Sequence, residues 1–131
     1  YVNLSDKLMF RPGSDYVSKE ATAVLGKVAK IMNAKPTLEI LVEAHTDTDP
    51  IATACVKDNW ELSARRATNI VRVLQNDFSI APERMSAAGR GEYVPVASND
   101  TREGRAANRR TRIVVLPKLD EFNKMIEEGL K

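Results

Sequence analysis

The chain has 131 residues, 43% of them hydrophobic and 29% charged, with a formal net charge of +2 at pH 7. That length suits about one domain with a real core, and the composition excludes a disordered chain. So small a net charge excludes any demand, from the overall balance, for a polyanion or a membrane surface. Apolar runs such as IVVL at 113–116 are far too short to span a bilayer. A single cysteine, Cys55, cannot close an internal disulfide and says nothing about redox compartment. The chain begins with Tyr1 rather than Met, which suggests an excised piece with any export signal or membrane anchor removed upstream.

Val2, Leu4, Leu8 and Phe10 share a period of two, broken at Asp6, and predict an irregular or edge strand ending at Pro12 and Gly13. From 17 to 32, Ala21, Val24, Leu25, Val28, Ile31 and Met32 recur every three or four positions opposite Lys19, Lys27 and Lys30, which is the pattern of an amphipathic helix. Pro36 stops it. Leu38, Ile40, Val42 and Ala44 then alternate with polar residues as a half-buried strand ending near His45. Residues 46–58 have no sustained period and hold Asp, Thr and Pro, so they form a loop. A second helix follows over 59–74, a short strand near 85–88, and a long loop from 89 to about 104, a length that often marks function. The spacing predicts a brief helical turn at 106–110, a last strand at 112–116, and beyond Pro117 a terminal amphipathic helix through Leu119, Phe122, Ile126 and Leu130. Strands alternating with helices imply an α/β sandwich, two helices on one face of a sheet and the other face open.

Within the second helix Leu62, Ala67, Ile70 and Leu74 form the apolar stripe, and Arg66 falls in the middle of it, four residues from Leu62 and from Ile70. A guanidinium at a core edge is costly to desolvate unless a carboxylate meets it. Asp47, just past the preceding strand in EAHTDTD, is the best candidate. The pair is either an internal clamp or a pocket carrying one charge of each sign.

Other constellations are weaker. His45, Asp47, Asp49 and Cys55 lie close together, but their spacing matches no metal motif, so no metal or cofactor is expected. A triad of Ser63 or Cys55 with His45 is disfavoured because Ser63 lies inside a helix, away from any nucleophile elbow. No enzyme activity is expected. The glycines of GRGEYVP precede no GK[ST] and no helix. Arginines at 102, 105, 109, 110 and 112 raise phosphate contact. With 5% aromatic residues there is no base-stacking platform, so no nucleic-acid partner is expected. Ion pairs with nearby Glu92, Asp100 and Glu103 are the alternative.

Taken together, MFRPGS, HTD, the N-x-x-L-S-x-x-R-A string from Asn59 to Ala67, and GRGEYVPVASNDTREGRAANRR resemble the OmpA-like peptidoglycan-binding domain over about residues 8–116. The resemblance implies a β/α/β/α/β sandwich with a further strand, one mixed sheet under two main helices, occupying 1–117, with 118–131 a helical extension of the same domain. It also implies non-covalent binding of the diaminopimelate in the peptidoglycan stem peptide. By position, Asp47 would meet the ligand ammonium and Arg66 its carboxylate, a complement suited to an amino-acid centre. Asn59 would contact the same group or order the loop, Thr46 would add contacts, and Arg110 rather than Arg109 would line the pocket. Such a module anchors a larger envelope protein, on the periplasmic face and tethered to the outer membrane of a Gram-negative cell through a part absent from this chain. Departures are Ala44 where the family has glycine, a loop about four residues longer that could wall or cover the pocket, and Thr111 and Arg112 after the arginine pair. The terminal helix either packs on the domain or makes a homodimer contact. The alternative function is a protein-interaction or oligomerisation module on the same fold with its pocket occluded.

Overall fold

The computed structural model describes residues 2–11, 13–53, 56–116 and 119–130. In chain order the elements are β1 (Val2–Ser5), α1 (Asp6–Met9), α2 (Lys19–Ala34), β2 (Ile40–His45), α3 (Asn59–Phe78), a 3-10 turn (Pro82–Arg84), β3 (Met85–Gly89), α4 (Arg102–Asn108), β4 (Arg110–Val115) and α5 (Leu119–Gly129). The sheet order is β1-β4-β2-β3. β2 pairs parallel with β3 and antiparallel with β4, and β1 pairs antiparallel with β4. This mixed sheet with helices on it is the expected α/β sandwich, and α3 is the crossover a parallel β2-β3 pair requires.

The expected first strand is shorter than its period suggested. Asp6, the polar break, marks where the strand gives way to the single turn of α1. Consecutive strand residues point to opposite faces, yet Met9 and Phe10 are both buried. Only a turn lets that segment deliver two neighbouring side chains to the core.

Helix α2 starts where the Ser18 hydroxyl accepts the Ala21 N–H at 3.0 Å, and it buries Ala21, Leu25, Ala29 and Met32 at helical spacing. Its C-terminal end and the turn after it are held by the Arg84 guanidinium, which donates to Met32 O at 2.8 Å, Lys35 O at 2.8 Å and Leu38 O at 3.0 Å. In α3 the Asp58 carboxylate caps the Glu61 N–H at 2.9 Å, and the helix ends through Ser79 in the left-handed region at φ 58°. Its buried stripe is Asn59, Leu62, Ser63, Arg66, Ala67, Ile70 and Leu74, so the charged residue inside the apolar face is a structural fact. Together α2 and α3 enclose a core with Leu4, Ile40, Val42, Ala44, Ile80 and Ile113.

The pleat gives the other sheet face to Leu41, Glu43 and His45 on β2, opposite Val114, Arg112 and Arg110 on β4. Glu43 meets Arg90 at 3.6 Å and Arg112 at 4.0 Å across that face. Helix α4 is longer than the expected turn and begins at Arg102, where the Thr101 hydroxyl accepts the Gly104 N–H at 2.9 Å. Along α5, Met125, Ile126 and Leu130 are exposed; the side chains of Leu119 and Phe122 lie outside those described. Among the described residues no helix is long and apolar enough to cross a membrane.

Gly89 sets the distance between sheet and helix. A Cβ there would stand 2.4 Å from Ala64 N and 2.7 Å from Ala64 Cα, both backbone atoms that cannot swing aside. Gly89→Ala should therefore cost about 1–3 kcal/mol, a melting temperature lower by roughly 5–10 °C. Gly129→Ala, which meets nothing within 4 Å, should leave the melting temperature unchanged or slightly raised; calorimetry on the two variants checks the pair.

Candidate functional site

At the carboxyl end of β2 the chain leaves the sheet through Thr46 and Asp47 and enters the 46–58 loop. Both residues stay buried, Asp47 at only 5% exposure. Thr46 donates its N–H to Gly91 O at 2.8 Å and its hydroxyl to Asp47 O at 2.9 Å. Asn59, the first residue of α3, donates its side-chain amide to Asp47 O at 3.2 Å and Asp49 O at 3.1 Å. Of the two expected roles for Asn59, ordering the loop is the one the geometry contains. Within the loop the Asp47 carboxylate also accepts the Asp49 N–H at 3.0 Å, the turn short acidic side chains favour.

Two turns into α3, Arg66 is 3% exposed. It donates from Nε to Ser14 O at 2.8 Å and from Nη2 to Arg11 O at 3.4 Å, and its guanidinium carbon lies 4.6 Å from the centre of the Phe10 ring. Carbonyl dipoles and a ring face therefore share in solvating this cation. Of the two arrangements left open for Asp47 and Arg66, the internal clamp is not what Asp47 forms. Its Oδ2 accepts from Arg109 Nη1 at 2.6 Å, a short charge-assisted contact.

Asp47 and Arg66 nevertheless line one cavity of about 610 Å³, together with Phe10, Arg11, Gly13, Thr46, Asp49, Pro50, Ile51, Asn59, Leu62 and Arg109. The longer loop supplies Pro50 and Ile51 as a wall, so it flanks the cavity; its Ala54 and Cys55 lie outside the described residues. A larger cleft of about 820 Å³ lies beside it and shares Phe10 and Arg11. The charged groups lining that cleft, Arg11, Lys19 and Glu20, are all exposed, whereas the smaller cavity holds ionic groups already removed from water. The smaller one is the better candidate site, because a buried charge is little screened.

The arginine motif after α4 is placed differently from expectation. Arg109 reaches the cavity and Arg110 does not. The first residue of β4, Arg110 shares the sheet face of His45, opposite which it lies in register. There it donates to Asn108 O at 3.0 Å and Val94 O at 2.9 Å. Burial, then the neighbouring Arg112, lowers its pKa, and Glu43 partly offsets this. The pleat explains the correction: Thr111 and Ile113 point into the core, so Arg110 and Arg112 must point away. The carboxylates meeting Arg105, Arg109 and Arg112 are Asp49, Asp47 and Glu43, distant in sequence, rather than Glu92, Asp100 and Glu103.

Ser63 is fully buried, donating to Trp60 O at 3.0 Å and accepting from Gly91 N at 3.0 Å. Its hydroxyl is thus committed to structure. No group of three His, Cys, Asp or Glu residues that could hold a metal occurs among the described residues.

The chain is thus a mixed sandwich with an ionic cavity beside the carboxyl end of β2. Residues 9–109 match the OmpA family, and the chain belongs to it. It is 34% identical over 117 residues to Motility protein B of Bacillus subtilis, covering 89% of this chain and 45% of that protein. The chain thus spans under half the length of that curated relative. The periplasmic domain of Helicobacter pylori MotB superposes with a TM-score of 0.83 at 27% identity, over 96% of this chain and 88% of that one. The cell wall anchor of the T6SS from Pseudomonas aeruginosa gives 0.80 at 34% identity, over 88% and 80%.

His45 adds a measurable property beside the cavity. Both ring nitrogens are buried without a hydrogen-bond partner. Burial, followed by the charges of Arg110, Arg90 and Arg112, lowers its pKa from 6.5 to about 4; Glu43 is the acid on the same face. The folded state thus keeps His45 neutral where the unfolded chain is protonated. Stability should fall as pH falls from about 6.5 to about 4 and stop responding to this group below that. Urea unfolding at several pH values should show wild type losing about 2 kcal/mol more across that window than His45→Asn.

Proposed function

We propose that this domain holds a larger envelope protein to the cell wall by non-covalent capture of the diaminopimelate side chain of the peptidoglycan stem peptide. The observation that carries the reading is the pair of buried opposite charges, Asp47 and Arg66, lining one cavity. An amino-acid centre presents an ammonium beside a carboxylate. Asp47 can accept the ammonium, since a carboxylate offers about four lone-pair sites and Arg109 occupies one side only. The planar fork of Arg66 suits the carboxylate, and Arg109 is placed to shift from Asp47 onto the same group. Thr46 and Asn59 hold the acid in position.

The protein then belongs on the periplasmic face, joined to a membrane by a part outside this chain; the likeness to the periplasmic domain of Helicobacter pylori MotB supports the envelope, and an outer-membrane tether is our reading of the resemblance. Many weak attachments along one polymer would supply the hold. A second reading, a protein-interaction module with an occluded pocket, draws on the 2.6 Å contact by which Arg109 already occupies Asp47.

The two readings separate in a pull-down with purified sacculi. Asp47→Asn keeps an acceptor for the Asp49 N–H, and Arg66→Lys keeps a cation near Ser14, so both should fold. Each should lose about 1.5–3 kcal/mol of binding, a roughly ten- to hundredfold weakening, and free diaminopimelate should compete with wild type. Unchanged binding by both variants would overturn the capture reading in favour of the occluded module.

A further inference from the structure

The only tryptophan of the chain, Trp60, is 50% exposed, and it stacks on Tyr93, 59% exposed, with ring centroids 4.8 Å apart and planes inclined by 29°. A stacked aromatic pair left half exposed presents apolar ring faces to a guest. The platform is also held rigidly. Gly91, at φ 60°, lets the loop pass under the rings, since a Cβ there would be strained at that φ and would press on Tyr93 at 3.2 Å. The loop backbone is tied down by Val96 and Ala97 N–H to Asn108 Oδ1 at 2.8 and 2.9 Å, and by Arg110 to Val94 O. Side chains from so fixed a backbone cost little entropy to engage.

The platform adjoins the cavity through two chain segments. Trp60 follows Asn59, a cavity residue, and Gly91 O accepts the N–H of Thr46, another. An aromatic side chain buries about 150–250 Å² when covered, so two half-exposed rings offer roughly 200 Å², far below the ~800 Å² per partner of a stable protein interface. Beside them the half-buried Glu61 and the exposed Arg65 pair with each other at 3.0 Å. What fits a small, neutral, rigid aromatic face beside a cavity for a peptide is the ring of the sugar bearing that peptide.

We infer that the stacked Trp60 and Tyr93 rings bind the carbon-hydrogen face of a pyranose ring, an N-acetylated amino sugar of the glycan strand, while the stem peptide enters the cavity. The ring faces carry negative potential and attract the positive edge of sugar C–H bonds, leaving the hydroxyls in water. This inference rests on the proposed peptidoglycan reading and names a second part of the same ligand.

Trp60 is its own probe. Titrating wild type with a peptide-free oligosaccharide of N-acetylglucosamine should change its fluorescence saturably, whereas free diaminopimelate should not. Trp60→Ala and Tyr93→Ala should bind sacculi three- to tenfold more weakly with diaminopimelate competition intact, and Trp60→Phe should recover part of the loss. Loss of sacculus binding in Asp47→Asn with the sugar response kept supports the platform and the cavity together. A sugar response alongside undiminished Asp47→Asn binding supports the platform and sinks only the cavity. No fluorescence response to the saccharide, or sacculus binding unchanged in both alanine variants, would overturn the platform and leave the patch to a protein partner.

Discussion

A buried guanidinium organises this site. Arg66 occupies a position on α3 that helical periodicity reserves for an apolar side chain, and removing its charge from water would cost several kcal/mol without compensation. The compensation includes the carbonyls of Ser14 and Arg11 and the face of Phe10. Those partners belong to the N-terminal segment, which has little regular structure between α1 and α2. Asn69, one turn further along α3, adds a bond to Asp15 O at 2.8 Å. Solvating one cation thus folds that segment against the helix and raises one wall of the cavity.

The opposite wall follows from the acid. Asp47 is fixed by its neighbours before any guest arrives: Asn59 and Thr46 hold its carbonyl, and the Asp49 amide and Arg109 hold its carboxylate. A carboxylate buried to this degree needs a cation, and Arg109 supplies one from a side chain that is itself partly exposed. The arrangement neutralises the acid from within the protein, and on the proposed reading it places the neutralising group where it can turn to a guest. Preorganisation of this kind lowers the ordering cost of binding.

Much of this was legible in the chain. The stripes of α2 and α3, the β2 alternation and the misfit of Arg66 are local signals, and the resemblance named the fold. Three things were not legible, for related reasons. The turn at Asp6–Met9 has a residue pattern that also suits a strand, and burial of adjacent Met9 and Phe10 becomes apparent only in three dimensions. The choice between Arg109 and Arg110 hung on where β4 begins. Placing its start at 112 hid the alternation that turns Arg110 away from the cavity, and the inward pair Thr111 and Ile113 was the available signal. The role of Asn108, whose amide pins the backbone at Val96 and Ala97 and meets the Asn99 side chain, depends on a loop closing over nine to twelve residues. No period or motif encodes such a closure.

On the proposed reading an anchor must also pass force from ligand to core, and the groups assigned to that hold converge on one element. Arg66 belongs to α3 itself, and Asp47 is joined to the first residue of α3 through the Asn59 amide. The aromatic pair joins the same helix at Trp60, and Gly91 returns to it through Ser63. A pull on a guest held at any of these points therefore loads α3, which is buried along seven positions and approaches β3 at Gly89 closely enough to exclude a methyl group. Resistance then depends on sliding a packed helix out of a core rather than on straightening loops. That is a stiffer support, because close-packed interiors yield little before they break.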